Sequence, residues 1–346
     1  MSNDGGGRYS PQSGWDFILT MVLKALITGV QGFTGRYLAA ELHRVGYQVF
    51  GLAQNGQTEP IAGVQLMYTC DLADAAGLAR LVAQVQPDVV AHLAAIAFVA
   101  HDDVDAIYRT NLLGSRNLLE ALCHADKPLR SVLLVSSANV YGNASGGMLD
   151  ESTLPVPAND YAVSKLAMEH MARLYQDRLP ITIVRPFNYT GAGQADSFLL
   201  PKIVSHVRRR APVIELGNLD VARDFSDVRT VVQYYRRLLE SAAARGKTFN
   251  VCSGQAHTLD EVLGMVRKLA GYNLEVRVNP TFVRANEVKT LIGSCAKLEA
   301  AVGVVPPVPL LNTLAWMMGV NEPGFAEQDA GTSAKFFHPM YFDTHQ

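Results

Sequence analysis

The chain has 346 residues, of which 49% are hydrophobic and 18% charged, with a formal net charge of −2. That length and apolar content suit one large or two fused domains with a sizeable core, and a balance this near neutral gives no basis for binding nucleic acid or a membrane surface. Four widely spaced cysteines, Cys70, Cys123, Cys252 and Cys295, argue against a disulfide framework and point to reduced thiols in a cytoplasmic protein.

Met1 to Ser13 is polar and glycine-rich, without the basic-then-apolar order of a signal peptide, and residues 1–20 are expected to form a disordered leader. Val22 to Thr28 is a short apolar run ending in glycine, the pattern of a buried parallel strand. Helical periodicity follows over Arg36–Arg44. Strands are expected at Tyr47–Gly51 and Val64–Asp71, a helix at Ala75–Gln84 and a strand at Asp88–Ala95. The longest apolar run, Val89 to Ala100, contains His92 and is too short to span a bilayer. A long helix at Tyr108–Ala125, a strand at Arg130–Ser136, a helix at Tyr161–Asp177 and a strand at Ile181–Arg185 complete the first half. Strands alternating with helices predict an α/β fold, a Rossmann-type doubly wound parallel sheet.

The pattern then changes. Helices are expected at Lys202–Arg210, Val228–Ala244, Leu259–Gly271 and Leu311–Met318, with strands at Val213–Leu216, Thr248–Cys252 and Glu275–Val278. Thr248–Cys252 can rejoin the first sheet. This divides the chain into a dinucleotide-binding domain, residues 21–188 plus about 227–258, and a smaller mixed α/β lobe, 189–226 plus 259–320. Residues 321–346 read as an irregular tail.

Gly29, Gly32 and Gly35 follow a strand and open a helix, the context in which glycines cradle a dinucleotide pyrophosphate at a helix N-terminus. Gln31, Phe33 and Arg36 lie in the same turn. The end of the second strand holds Ala53-Gln54-Asn55, with no carboxylate to bind a ribose or repel a 2′-phosphate. Arg36 can attract such a phosphate or simply be solvated. NADP(H) is therefore favoured over NAD(H). Asp71 with Leu72 is placed either to hold the adenine or to cap the next helix. Leu93, Ala94 and Ala95 end the fourth strand, where small side chains let a cofactor lie close. His92 reads as a satisfied core histidine. No metal site is expected.

Tyr161 and Lys165 stack on one helical face. Held near a bound cofactor, Lys165 would favour the phenolate and pull the Tyr161 pKa toward neutrality, fitting it to exchange a proton with a carbonyl oxygen. Ser164 lies between them and is expected to face solvent.

Together these stretches resemble the extended short-chain dehydrogenases that modify nucleotide sugars. The resemblance runs from Ile27 to about Leu298. It rests on Thr28-Gly-Val-Gln-Gly-Phe-Thr-Gly35, His92-Leu-Ala-Ala95, Asn111-Leu-Leu-Gly114, Ser136-Ser-Ala-Asn-Val-Tyr-Gly142, Tyr161-Ala-Val-Ser-Lys165 and Arg185-Pro-Phe-Asn188. It implies Ser137, Tyr161 and Lys165 as the catalytic set, with Ser136 merely packing. Asn111 would position Lys165 through water, or else cap a helix, and Phe187 would join the cofactor site. The stretches Leu216-Gly-Asn-Leu-Asp220, Arg223-Asp224-Phe225 and Arg284-Ala-Asn-Glu287 resemble the substrate lobe of the GDP-mannose branch. By that likeness Asn139, Asn188, Ser197, Lys202, Arg223, Arg284 and Glu287 would hold a GDP-linked deoxysugar, with arginine suited to its pyrophosphate.

Dehydratases of that branch carry an acid two residues before the tyrosine of Val-Tyr-Gly. Here that residue is Asn139, which moves no proton. The resemblance thus implies an NAD(P)-dependent oxidoreductase that reduces the C4 ketone of a GDP-4-keto-6-deoxy-hexose. Alternatives are a nucleotide-sugar C4 epimerase, a 4,6-dehydratase, or a non-catalytic NAD(P)-binding regulator. A homodimer through a four-helix bundle is also implied.

Overall fold

The computed structural model describes residues 22–54, 59–97, 103–142, 147–283 and 289–320. The expected leader and tail lie outside these residues. In chain order the first half runs β1 (Lys24–Thr28), α1 (Phe33–Arg44), β2 (Gln48–Ala53), β3 (Val64–Thr69), α2 (Ala75–Val85) and β4 (Val89–His92). Next come α3 (Val104–Tyr108), a π-helical turn (Arg109–Gly114), α4 (Ser115–Cys123) and β5 (Ser131–Val135). A 3-10 turn (Ala138–Tyr141), β6 (Met148–Leu149), α5 (Asp160–Arg173) and β7 (Ile181–Pro186) follow. Two elements depart from expectation. The fourth strand stops at His92, so Leu93, Ala94 and Ala95 belong to the loop beyond it. The helix expected at Tyr108–Ala125 begins earlier and is interrupted by the π turn. Such turns insert a residue and cluster at functional sites.

The second half contains β8 (Asn188–Thr190), α6 (Leu199–Arg208), β9 (Val213–Leu216), β10 (Ala222–Asp227), α7 (Val228–Glu240) and β11 (Thr248–Val251). It continues with β12 (Ala256–Thr258), α8 (Leu259–Ala270), β13 (Glu275–Val278), β14 (Thr290–Gly293), α9 (Ala296–Val302) and α10 (Leu310–Met318). Sequence patterning missed β6, β8, β10, β12 and β14. They are two to six residues long, and β10 reads Ala-Arg-Asp-Phe-Ser-Asp, too polar for a strand signal.

Seven strands form one parallel sheet in the order β11-β7-β5-β4-β1-β2-β3. Alternate residues on each strand face opposite layers. Ala25, Ile27, Val49, Leu133 and Phe249 bury against α1 and α7, whereas Leu26, Phe50, Val90, Val132 and Ile183 bury against α2, α4 and α5. Burial on both faces explains why these strands read as near-continuous apolar runs. The strand order reverses beside β1, which pairs with β2 on one side and β4 on the other. Loops leaving β1 and β4 therefore splay apart and open a crevice at the carboxyl edge.

A second sheet, β12-β10-β14-β6 with β8 on β10, lies beside the first. Helices α6, α8 and α10 bury Leu200, Ile203, Val262, Val266 and Leu314 in a separate core with β9. A fourth apolar cluster joins Tyr141, Leu149, Phe187, Cys252 and Leu291 from both halves of the chain.

Candidate active site

The crevice is lined by the glycine turn. Gly29 has φ +68°, and a Cβ there would lie 2.7 Å from the Ala94 nitrogen, so backbone approaches backbone where the crevice opens. At Gly35 a Cβ would lie 2.4 Å from the Gly29 carbonyl oxygen. Gly32 caps α1 without a side-chain bond, and the first turn holds no acid. The N–H groups and positive dipole end of a 12-residue helix are therefore left to an outside acceptor. Gln31, Gly32 and Phe33 lie in this turn, while Asp71 and Leu72 follow β3 and Leu93, Ala94 and Ala95 follow β4, all on the same edge of a parallel sheet. A narrow backbone cradle beneath a bare helix N-terminus fits a dinucleotide pyrophosphate.

Side chains around the cradle are partly committed. The Arg36 Nε donates to the Gln31 carbonyl at 3.0 Å. Asp71 does not cap α2; Asp74 does, accepting from the Gly77 nitrogen. Asp71 instead accepts from the Ala73 nitrogen at 2.8 Å and from Gln54 Nε2 at 3.2 Å. His92 is the satisfied core residue expected, bonded through Nδ1 to Thr28 and through Nε2 to Ser115. Burial pushes its pKa down to about 3, aided by the nearby Lys165 charge, so it stays neutral.

Ser137 leaves the end of β5 and accepts from the Asn139 nitrogen at 3.1 Å, which fixes its hydroxyl at the head of a 3-10 turn. Helix α5 starts at an Asn159 cap and carries Tyr161 in its first turn and Lys165 one turn later. The Ser137 hydroxyl lies near enough to the Tyr161 phenol to moderate its pKa, and the Lys165 ammonium donates to the Val135 carbonyl at 2.8 Å. The three expected catalytic residues thus converge at the carboxyl end of β5. All three are buried.

The expected acidification of Tyr161 is not found. Burial raises its pKa to about 12, against the partial relief given by Ser137, and Tyr189 adds to the rise. Burial also lowers Lys165 to about 8. Removing both groups from water disfavours each charged form.

Three further expectations are corrected. Ser164 is fully buried, bonded to the Tyr161 carbonyl at 2.7 Å and to Asn111. Asn111 is no helix cap. Its carboxamide bonds both backbone groups of Ile96 and the Ser164 hydroxyl, tying the loop after β4 to the catalytic helix. Ser136 does more than pack, because its hydroxyl donates to buried Glu169. Glu169 stands one turn beyond Lys165 and was missed by sequence reasoning; its signal was the repeated four-residue spacing Tyr161, Lys165, Glu169.

The expected substrate residues are dispersed. Asn139 is half-buried beside Ser137. The Asn188 Nδ2 is buried and makes no hydrogen bond among the described residues, leaving a donor ready for a ligand. The Phe187 ring packs against Tyr141 and beneath Gly293. Ser197 is exposed ahead of α6. The Lys202 ammonium is occupied, donating to the Glu215 carbonyl at 2.8 Å and lying 4.4 Å from the Phe282 ring centroid. Arg223 Nη1 donates to the Ala222 and Lys289 carbonyls. The neighbouring Asp224 is buried and accepts from Ser253, Gly254 and Gly293. Arg284 and Glu287 lie outside the described residues. A cavity of about 430 Å³ bordered by Gly191, Gln194, Asp196, Arg208 and Met317 includes none of the expected site residues.

The family model described as GDP-mannose 4,6 dehydratase matches residues 26–317. The chain belongs to this family. It is 32% identical over 281 residues to the GDP-6-deoxy-D-talose 4-dehydrogenase of Aggregatibacter actinomycetemcomitans, covering 81% of this chain and 92% of the relative. It is 33% identical over 305 residues to the GDP-6-deoxy-D-mannose reductase of Pseudomonas aeruginosa, covering 85% and 95%. Among solved structures, a Burkholderia cenocepacia protein provisionally named an epimerase is 52% identical, with a TM-score of 0.82 over 86% of this chain and 97% of that one. RMD from Pseudomonas aeruginosa, complexed with NADPH, is 31% identical, with a TM-score of 0.74 and the same coverage. The family members are Rossmann-type oxidoreductases and dehydratases, so the expected fold and enzyme class stand.

Proposed function

We propose that this protein reduces the C4 ketone of GDP-4-keto-6-deoxy-D-mannose, using NADPH or NADH, to GDP-D-rhamnose or its C4 epimer. The observation that carries this reading is the buried grouping of Ser137, Tyr161 and Lys165 at the carboxyl end of β5, with an amide, Asn139, where elimination would need an acid. A nicotinamide dinucleotide, when bound, supplies the hydride. Gly29, Gln31, Gly32, Phe33, Gly35 and Arg36 would hold its pyrophosphate half, and Asp71, Leu72, Leu93, Ala94, Ala95, Asn111 and Phe187 its remaining length. NADP(H) is favoured by Arg36 and the lack of a carboxylate at the end of β2, and RMD, which binds NADPH, supports that choice.

Tyr161 is the proton donor in this setting. A phenol with its pKa near 12 remains protonated at neutral pH and gives its proton only as negative charge develops on the sugar O4. Ser137 hydrogen-bonds the same oxygen, and the Lys165 ammonium stabilises the phenolate left behind. Asn139, Asn188, Ser197, Lys202, Arg223, Arg284 and Glu287 are proposed to hold the GDP-sugar; the unpaired Asn188 Nδ2 is the best prepared of them. Residues 21–188 with about 227–258 are proposed as the dinucleotide domain, and 189–226 with 259–320 as the sugar-nucleotide lobe.

Incubation with GDP-4-keto-6-deoxy-D-mannose and NADPH should yield a GDP-6-deoxyhexose. Loss of water from GDP-mannose instead would refute the reading. Tyr161→Phe should abolish turnover while dinucleotide affinity stays within about threefold; retained activity would remove Tyr161 from the mechanism. A second reading, C4 epimerisation, is favoured by the 52% identical Burkholderia cenocepacia structure. It predicts NAD retained through purification and no net NADPH oxidation.

The protein is further proposed to be a cytoplasmic homodimer. Val104, Leu113 and Val163 are exposed on α3, the π turn and α5, which lie side by side and would form half of a four-helix bundle. Sedimentation at about twice the monomer mass would support this, and a monomer at assay concentration would refute it. No helix among the described residues is long and apolar enough to cross a membrane.

A further inference from the structure

Behind the catalytic residues runs a chain of polar side chains sealed from solvent. Glu169 is fully buried on α5 and receives Arg185 of β7 at 2.9 and 2.7 Å in a two-pronged pair. The Ser136 hydroxyl donates to the same carboxylate at 2.5 Å. Arg185 also donates to the Tyr141 hydroxyl at 3.1 Å and lies 5.0 Å from that ring's centroid. The Tyr141 hydroxyl then donates to Asn250 of β11 at 2.7 Å, and Asn250 donates to the Leu149 carbonyl.

Ser136 and Tyr141 bracket the short arch that carries Ser137. One end of the arch is therefore bonded to Glu169, and the other to its partner Arg185. Both attachments lead to α5, which carries Tyr161 and Lys165. The distance from the Ser137 hydroxyl to the Tyr161 phenol is set by this buried frame rather than by the loop alone. A buried ion pair loses much of its Coulomb gain to desolvation, so such a frame is better suited to fixing geometry than to stabilising the fold. Arg185 gains its charge-assisted bonds to Glu169 in return for burial, and Glu169 is the charge on its own helix that faces Lys165.

We propose that Glu169 is a positioning residue for the reduction: paired with Arg185 and bonded to Ser136, it holds the Ser137 arch in register with Tyr161 and supports the charge of Lys165. This rests on the catalytic reading above. The groups facing Lys165 are the Val135 carbonyl on β5, His92 on β4, and Tyr161 and Glu169 on α5, with Arg185 of β7 beyond Glu169. Of these, the side chain whose negative charge favours the ammonium is Glu169, while His92 remains neutral at working pH.

Ser136→Ala removes one bond with little change in volume, and Glu169→Gln removes the charge while keeping an acceptor for Ser136. Both would be compared with the parent and with Tyr161→Phe by NADPH oxidation with GDP-4-keto-6-deoxy-D-mannose. Ser136→Ala is expected to lower kcat about ten- to a hundredfold, the scale of a misplacement near 1 Å, with KM for NADPH within about twofold. Glu169→Gln is expected to move the alkaline limb of the kcat profile down by about half a pH unit, since Lys165 loses its supporting anion. A purely structural role would leave that limb in place. If Glu169→Gln does not fold, Ser136→Ala decides the matter. Parental kcat in Ser136→Ala would overturn the positioning role, as would an unmoved limb in a folded Glu169→Gln. Turnover by Tyr161→Phe would instead overturn the underlying catalytic reading.

Discussion

Replacing Lys165 with methionine should make the protein more stable as it makes it inactive. Lys165 is buried, with its ammonium bonded to the Val135 carbonyl, and burial brings its pKa from 10.5 to about 8. That displacement, about 2.5 in pKa, is worth ~3.4 kcal/mol at ~1.4 kcal/mol per unit, and it measures the cost of keeping the group charged at pH 7. Methionine fills the same space without a charge. It leaves the Val135 carbonyl without this donor, which returns about 1–2 kcal/mol of the gain. The net expectation is stabilisation by about 1–2 kcal/mol at pH 7, or roughly 2–5 °C in Tm for a chain of this size. The pH dependence gives a second check. The unfolded lysine holds its proton up to 10.5, whereas the folded one releases it near 8. Between these values the unfolded state binds more protons, so this group's penalty is relieved as pH rises from 8 to 10.5 and is full below 8. The stability gap between variant and parent, followed by urea unfolding, should therefore close and then reverse across that window, because the relief of ~3.4 kcal/mol exceeds the gap at pH 7. A variant less stable than the parent at pH 7, or a gap unchanged at pH 10.5, would refute the reasoning.

Two other substitutions probe separate parts of the site. Gly35→Ala places a methyl within 2.4 Å of the Gly29 carbonyl and 2.6 Å of the Val30 Cα, both backbone atoms. The turn must open, with a loss of about 1–3 kcal/mol and at least tenfold weaker NADPH binding by fluorescence titration; parental affinity would count against the cradle. His92→Gln tests the buried imidazole. Its folded pKa of about 3 lies below the unfolded value of 6.5, so stability should fall by up to ~1.4 kcal/mol per pH unit as pH drops from 6.5 toward 3. The glutamine variant should lose that share of the acid slope, and an identical slope would show that His92 is not its source.

Much of the dinucleotide half was legible because its signals are local. Gly29, Gly32 and Gly35 declare a turn that admits no Cβ, and the strands announce themselves by apolar runs that need both faces covered. The second sheet was not legible. Its strands are short and polar, and they are held by pairing partners distant in sequence, such as Phe225 with Asn188 and Ile292 with Met148. Ser164 and Asn111 were misread for a related reason. Nothing local reveals that a helical serine and a π-turn asparagine bond each other in the dark beneath Ile96.

By itself the sequence determined the chemistry available: a phenol, an ammonium and a hydroxyl at fixed spacings, a glycine turn, and an amide where elimination would need an acid. Those depend on residue identity and on the 3.6-residue helical repeat, and both are written in the chain. Only the tertiary structure decided the protonation of that chemistry and what holds it in place. Burial leaves Tyr161 protonated and brings Lys165 down to about 8, and an Arg185–Glu169 pair ties the Ser137 arch to the catalytic helix. The physical reason is that desolvation and long-range hydrogen bonds depend on which segments are brought together in space, and that is a property of the packed fold rather than of any one stretch.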